Sequence, residues 1–495
     1  MNPQELPTHR LATTDHQGNR IYLYPIQVFG KWRTRRSRLN GVLIILFLIL
    51  PWITIHGHPA VLLDISHRKF AIFGIAFWAH DAPLLIFIFG GAALALALIT
   101  AIWGRIWCGW ACPQTVFIDG VFRKLESWIE GDAYTRKKRD ESPFSLKKFS
   151  KKTLKWTAFT LISLIMSHSF LAYFFGTQEL AKMMRTSPIE NLTSFFVMGG
   201  ITLLILFDFG WFREQFCTLV CPYGRFQSVL MDDESQVIAY DAARGEPRKG
   251  IQPSESAPSS PLLTQQTTPR TTPRTGDCVN CYQCVRACPT GIDIRRGLQL
   301  ECIACTACID ACNRVMEKIK KPKGLIRYDS LARILGKKQT QEKLYQKPKV
   351  LFFGALFSMM VIGLIITLHL RQPLEVTFIR SVGAPYQEIS GVNGEAEVIN
   401  HFKLDLRNQT FEPQQIAFKL NPTQEEEKNI QIVLSHHSEV LQEGASERAD
   451  FFIRFPKKIL KVGRRALPLS IETLSLKNQS QATFMQEVLL VGPIR

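Results

Sequence analysis

Five stretches of this chain carry no Asp, Glu, Lys or Arg over lengths near or above the roughly 20 apolar residues that a helix needs to cross a hydrocarbon core: Leu39 to Leu63, Ala82 to Gly104, Trp156 to Gln178, Asn191 to Phe207 and Val350 to Leu370. Such a pattern predicts a polytopic α-helical membrane protein with about five spans. Phe70 to Ala79 is a further apolar run, but at ten residues it is too short to cross and reads as an interfacial or re-entrant element.

The net charge of +18 raises nucleic acid as a partner, yet the basic residues gather between particular spans rather than along one face. Lys31, Arg33, Arg35, Arg36 and Arg38 precede the first stretch, and eleven Lys and Arg fall between Arg105 and Lys152, while 64–81 and 179–190 hold two each. The positive-inside rule then makes the N-terminus, the 105–155 loop and 208–349 cytoplasmic, and five crossings place 371–495 outside. Membrane topology accounts for the charge, so no nucleic acid is expected. The first 38 residues are polar and lack the apolar region of a cleavable signal peptide, which leaves insertion to the first span.

These features divide the chain into a cytoplasmic tail (1–38), a four-span membrane unit (39–230), a flexible linker (231–276), a cysteine-dense segment (277–328), a basic connector (329–349), a fifth transmembrane helix (350–370) and a C-terminal domain (371–495). The linker is assigned from its Pro, Ser and Thr content, most marked over 241–276, which cannot bury a core. In the C-terminal domain, Glu397 to Arg407, Gln415 to Leu420 and Ile430 to Leu434 alternate apolar and polar residues between Asn, Pro and Gly, the pattern of a small antiparallel sandwich of the immunoglobulin-like kind. His401 and the His436-His437 pair in this domain have no third ligand nearby in sequence and read as strand or surface residues.

All twelve cysteines precede the sandwich and fall into four groups, the reverse of a disulfide scaffold. Cys278, Cys281, Cys284 and Cys288, followed by Pro289, and then Cys302, Cys305, Cys308 and Cys312, each repeat the bacterial ferredoxin spacing. In that arrangement the fourth cysteine of each run binds the other cluster. Cys278, Cys281, Cys284 and Cys312 are thus expected to hold one [4Fe-4S] cluster, and Cys302, Cys305, Cys308 and Cys288 the second. Structural zinc is the alternative, but zinc sites use two Cys pairs rather than two sets of four. Arg286, Arg295, Arg296 and Arg314 are available to offset cluster charge, or are solvated surface residues.

The remaining cysteines form a repeat: Cys108-Gly-Trp-Ala-Cys112-Pro113 after the second span and Cys217-Thr-Leu-Val-Cys221-Pro222 after the fourth. Cysteines at i and i+4 share a helix face, and soft thiolates favour Cu(I) or iron–sulfur species, so a two-plus-two site from the two motifs is one reading. Small residues in tight turns before proline is the other. Asp208 is either a proton or ion group or an interfacial carboxylate. His56, His58, His67 and His80 fit interfacial packing better than haem ligation. Trp103, Trp107, Trp110 and Trp211 read as interface anchors.

On these motifs the sequence closely resembles the cytochrome c oxidase accessory protein family CcoG, also called FixG or RdxA. The resemblance covers nearly the whole chain and rests on CGWACPQT at 108–115, CTLVCPYGRFQ at 217–227, CPTGIDIRRGLQLECIACTACIDAC at 288–312, GLIRY at 324–328 and the C-terminal sandwich. It departs from the family pattern at Asn313, where Asp is expected, and in a longer Thr-Pro-rich linker. The resemblance implies a bacterial inner-membrane electron-transfer protein with two [4Fe-4S] clusters that reduces Cu(II) to Cu(I) for assembly of a cbb(3)-type oxidase. Cys108, Cys112, Cys217 and Cys221 would be the reactive, copper-binding cysteines, and oxidase assembly factors or a copper transporter or chaperone the partners. Two rival functions remain: a quinol-linked membrane ferredoxin feeding another respiratory enzyme, and a redox-sensing assembly scaffold.

Overall fold

The computed structural model describes residues 13–493 apart from 15–16, 18, 56–57, 66–68, 79–80, 250–275, 335–346, 391–395, 421–429, 436–439, 461 and 477–480. It separates into two compact units, one of residues 1–53 with 86–363 and one of 54–85 with 364–495. Most of the expected linker, His436-His437 and three of the four histidines near the first spans (His56, His67 and His80) lie outside the described residues.

In the first unit, helices over Leu84–Trp103, Leu146–Phe175, Leu192–Phe212 and Pro348–Leu370 are long and apolar enough to cross a membrane. The first expected span differs. Its helix runs over Lys31–Ile49 and a short 3-10 turn over Leu50–Trp52, after which Thr54–Ile55, His58–Pro59 and Val61–Asp64 are strands. The basic residues predicted to precede this span are its first turns, and Pro51 closes it. Arg36 Nε donates to the Gly109 carbonyl at 2.5 Å, and its Nη1 lies 2.5 Å from Asp119 Oδ2, which fastens this helix to the segment 109–119.

The N-terminal segment is fastened to the cysteine-dense segment as well. Asp310, on the helix Ala307–Lys318, accepts the backbone N–H groups of Arg33 at 2.7 Å and Trp32 at 3.4 Å. A carboxylate thereby satisfies donors that the first turn of a helix leaves open, at the positive end of its dipole. Strands Gln236–Tyr240 and Ile326–Ser330 pair antiparallel on either side of the cysteine runs, and Ile238, Tyr240 and Ile326 bury their side chains in one core with Cys278, Cys284 and Cys312. The flexible linker expected from residue 231 accordingly gives way, up to Lys249, to folded chain.

Glu126 ties four segments of this unit together. Its buried carboxylate accepts from Arg213 Nη1 and Nη2 at 3.0 and 3.1 Å, Arg136 Nη1 at 2.7 Å, Lys155 Nζ at 3.5 Å and Tyr22 Oη at 3.2 Å. Burial alone would raise its pKa, but Arg213, with Lys155 and Arg136, outweighs that and holds the carboxyl well below the usual range. A carboxyl with a depressed folded-state pKa adds stability that is complete above its unfolded pKa and fades as pH falls below it. Glu126→Gln is expected to cost about 3–5 kcal/mol, the usual penalty for leaving buried cations unpaired. The check is the thermal midpoint of the detergent-solubilised chain: the gap from wild type should be wide at pH 7 and should shrink at pH 4.

The second unit is a two-sheet sandwich. One sheet orders Gln431–Leu434, Ser446–Pro456, Ala396–Asn408 and Leu374–Arg380, with Gln387–Ser390 also paired to Ala396–Asn408; the other orders Val440–Leu441, Gln414–Leu420, Arg464–Ser475 and Gln481–Val491. Alternate residues face inward as the strand period requires, and Phe402, Leu404, Phe451, Ile453, Phe455, Leu469, Ile471 and Leu490 make its core. The apolar run at 70–79, expected at an interface, instead supplies strands Lys69–Ile72 and Ile75–Trp78 of a three-stranded sheet with Val61–Asp64. Trp78 packs on Phe411, and Arg371 pairs with Asp81 at 2.7 Å. His401 stacks on Phe452 and bonds Asp450 at 2.7 Å, so it is a strand residue with a partner.

Candidate iron–sulfur and thiol sites

The two ferredoxin runs fold alike. Asn280 and Tyr282 in the first, and Ala304 and Thr306 in the second, stand two and four residues after the first cysteine of their run, and all have φ between 52° and 65°. Non-glycine residues enter this left-handed region at a cost of roughly 1–2 kcal/mol each and persist where the surroundings fix them. Alternation of right- and left-handed residues turns successive N–H groups inward, making a nest for an anion. Arg295 holds the first loop: its guanidinium bonds Asp293 and Asn280, the latter at 2.7 Å, and lies 4.1 Å from the Tyr282 ring centroid. It is therefore buried and paired rather than a solvated surface residue. Asn313, the departure from the family pattern, accepts the Gly324 N–H at 2.9 Å.

The fold crosses the runs. Cys312 feels the charge of Cys278 and Cys281, and Cys284 that of Cys312 and Cys281. Cys302 feels that of Cys288 and Cys305, and Cys308 that of Cys305, Cys302, Cys288 and Cys284, and Cys284, Cys288, Cys302, Cys305 and Cys308 line one small internal cavity. Burial pushes the thiols of Cys284, Cys302 and Cys312 up to about 12 and that of Cys305 up to about 11. Buried neutral thiols without a metal become stable thiolates only by ligating one. Among the described residues, no three His, Cys, Asp or Glu side chains close on one point as a single-ion site needs; sulfurs spaced around a volume suit a multi-atom cluster. Donor type, nest and spacing all fit [4Fe-4S] groups.

The membrane cysteines also come together. Cys217 feels Cys112, Cys108 and Cys221, and Cys108 feels Cys112 and Cys221, although the motifs are more than a hundred residues apart in sequence. Of the two readings of the spacing, one helix face or a turn before proline, the fold takes the second. Cys108 lies in the short helix Ile106–Trp110 and Cys217 in the π-turn Phe216–Val220, whereas Cys112 and Cys221 are extended N-cap residues of helices that start at Pro113 and Pro222. Proline disfavours helical geometry at the residue before it and is well placed at the first helical position, so each motif breaks between its cysteines. Burial pushes Cys108 up to about 11 and raises Cys112 and Cys217. Cys108 Sγ lies 3.3 Å from Gln227 Oε1.

What joins the two cysteine centres was not legible from cysteine spacing. A Cβ on Gly109 would stand 2.5 Å from the carbonyl oxygens of both Ile303 and Ala304, so the first membrane motif rests directly on the backbone of the second ferredoxin loop. Trp110 Nε1 donates to Tyr328 Oη at 3.0 Å, and that hydroxyl donates to the Ala304 carbonyl at 3.0 Å; Trp32 packs edge-on against both rings. Trp110 is thus a bridging residue and not a membrane-interface anchor. Asp208 accepts from Gln114 Nε2 at 2.9 Å, next to the first motif.

The same segments are similar to known families. The family described as "4Fe-4S dicluster domain" matches residues 212–331, "4Fe-4S binding domain" matches 82–131 and 190–232, and the IG-like fold at the C-terminus of FixG matches 364–493. Protein RdxB of Cereibacter sphaeroides is 32% identical over 81% of this chain and 83% of its own length. Protein RdxA of the same organism is 36% identical over 63% of each chain, and the nitrogen fixation protein FixG of Rhizobium meliloti 34% identical over 63% of this chain and 57% of its own. With its apolar helices, iron–sulfur segments and immunoglobulin-like sandwich, the chain belongs to the FixG/RdxA family of membrane iron–sulfur redox proteins.

Proposed function

We propose that this protein is a membrane cupric reductase, converting Cu(II) to Cu(I) one electron per ion for assembly of a cbb(3)-type cytochrome c oxidase. The observation that carries the reading is the convergence of Cys108, Cys112, Cys217 and Cys221 beside the second ferredoxin loop, with Gly109 seated on Ile303 and Ala304. Cys278, Cys281, Cys284 and Cys312 hold one [4Fe-4S] cluster, and Cys288, Cys302, Cys305 and Cys308 the other; when bound, they supply one-electron storage at low potential.

The four membrane thiols are the copper site. Soft sulfur favours Cu(I) over Cu(II), so binding there stabilises the reduced product. The thiols lose protons on ligating the ion. The Cu(I) recipient is a copper chaperone or transporter or an oxidase assembly factor. The basic N-terminus, the 105–155 loop and the ferredoxin segment are the cytoplasmic face, and the sandwich is periplasmic.

The test is the Cys108→Ser/Cys112→Ser double variant, assayed anaerobically after reduction, with Cu(I) captured by a chelator. Cu(I) formation should fall by about 100-fold or more, since even supporting partners of a bound metal are worth 10–100-fold, while iron content stays at the wild-type value. Unchanged Cu(I) formation would remove copper from these cysteines.

A further inference from the structure

Beyond Cys221, on the helix Pro222–Leu230, Gln227 reaches back to the first membrane motif. The residue is 0% exposed, and its Oε1 lies 3.3 Å from Cys108 Sγ. Its Nε2 is buried with no hydrogen-bond partner among the described residues. Leaving such a donor unmet costs roughly 1–3 kcal/mol. An apolar side chain of similar size would avoid that cost, so packing alone does not account for an amide here.

The two segments that meet here are fixed in place. Arg105 Nη2 donates to the Gly224 carbonyl at 2.5 Å, which ties the helix of Gln227 to the chain just ahead of Cys108. Thr115 Oγ1 donates to the carbonyls of Cys108 and Cys112 at 2.5 and 3.1 Å and so holds the backbone of the first motif. Among the described residues, Gln227 is the one side chain that hydrogen-bonds the Cys108 sulfur. A neutral thiol donates its S–H to Oε1, but a sulfur bound to a metal has lost that proton and can only accept. The terminal torsion of a glutamine is broad and roughly two-fold, so a half-turn exchanges Oε1 for Nε2 and brings an N–H onto the sulfur. A hydrogen bond to charged sulfur is the stronger of the two. The amide oxygen is a hard donor and a poor ligand for Cu(I), so the side chain acts through the sulfur and not on the metal.

We propose that Gln227 is a positioning residue of the membrane thiol site: with Cu(I) bound, its Nε2–H donates to Cys108 Sγ and holds that sulfur on the ion. The inference rests on the reading of Cys108, Cys112, Cys217 and Cys221 as the copper site. A donor left unmet beside a neutral thiol gains its partner when that thiol becomes a ligand, so part of the affinity for the reduced ion comes from Gln227.

The experiment is an anaerobic Cu(I) titration of the full-length, cluster-loaded protein against the chelator bicinchoninate, on wild type, Gln227→Leu, Cys108→Ala and the double variant. Gln227→Leu should bind Cu(I) about tenfold more weakly or worse, since supporting partners of a bound metal are worth about 10–100-fold. Its iron content should be unchanged, and its thermal midpoint before copper is added no lower than that of wild type. In the Cys108→Ala background the same substitution should change affinity by less than about twofold, because the two act as one unit. A general packing role would weaken the three remaining thiols there as well. Gln227→Asn, whose amide is drawn back by one methylene, should lose affinity as the leucine variant does, and it carries the test if that variant loses iron. Wild-type affinity in the Gln227 variants, or an equal loss in the Cys108→Ala background, would overturn the proposal while leaving the copper site standing, provided that Cys108→Ala itself binds Cu(I) more weakly. Wild-type affinity in Cys108→Ala would overturn the copper site and this proposal with it.

Discussion

Cys288→Ala removes the same cluster as Cys305→Ala, and Cys312→Ala removes the other one. This is the largest effect expected of any single side chain, because a fully ligated protein holds about eight irons and loss of one cube leaves about four. In sequence, Cys288 belongs with Cys278, Cys281 and Cys284; in the fold it lines one cavity with Cys302, Cys305 and Cys308, which Cys284 also reaches. Low-temperature electron paramagnetic resonance of each reduced variant, with iron analysis, checks the assignment. The Cys288 and Cys305 variants should retain one common residual signal, and the Cys312 variant a different one. Matching residual signals from Cys288→Ala and Cys284→Ala would mean that the runs are not crossed.

The second large effect follows from Gly109. Its substitution by alanine puts a methyl carbon where only 2.5 Å separates it from two backbone carbonyl oxygens, a distance that forces the two cysteine centres apart. Overpacking of this kind costs about 1–3 kcal/mol. The larger consequence is for electron transfer, because the tunnelling rate falls with the distance between the two centres. Gly109→Ala should therefore retain its iron, retain copper binding at the membrane thiols, and reduce copper several-fold more slowly in stopped-flow. A variant that reduces copper at the wild-type rate would show that Gly109 is a packing residue only.

The parts of this molecule legible in sequence are those written in local spacing. The ferredoxin runs announce their loops because ligand geometry fixes the number of residues between cysteines, and the sandwich shows in the alternation from Glu397 to Arg407. The four helices long and apolar enough to cross a membrane stood out as charge-free stretches, whereas the first stretch was misplaced at both ends because its helix begins among arginines that the fold employs: Arg36 is spent on Gly109 and Asp119. The run at 70–79 was misread because short apolar segments look alike whether they end as interfacial elements or as strands.

At the site itself, spacing marks the eight cysteines of the two ferredoxin runs and pairs the CxxxCP motifs; of its two readings of each pair, one helix face or a tight turn before proline, the break at Pro113 and Pro222 fits the second. The junction between the two centres is long-range. Nothing local marks Gly109 as the residue that must lack a side chain, or Trp110 as the partner of Tyr328. Such contacts exist only once residues near 32, 110, 304 and 328 are brought together.

The most direct measurement of the central claim is electron counting in the wild-type protein. The clusters are reduced anaerobically, excess Cu(II) is mixed in, and loss of the reduced-cluster signal is followed alongside Cu(I) captured by a chelator, with the Cys108→Ser/Cys112→Ser variant as a control for direct thiol chemistry. The account predicts one Cu(I) for each electron lost from the clusters. Clusters that stay reduced in excess Cu(II) would contradict it and would move the function to a quinol-linked carrier or a redox-sensing scaffold.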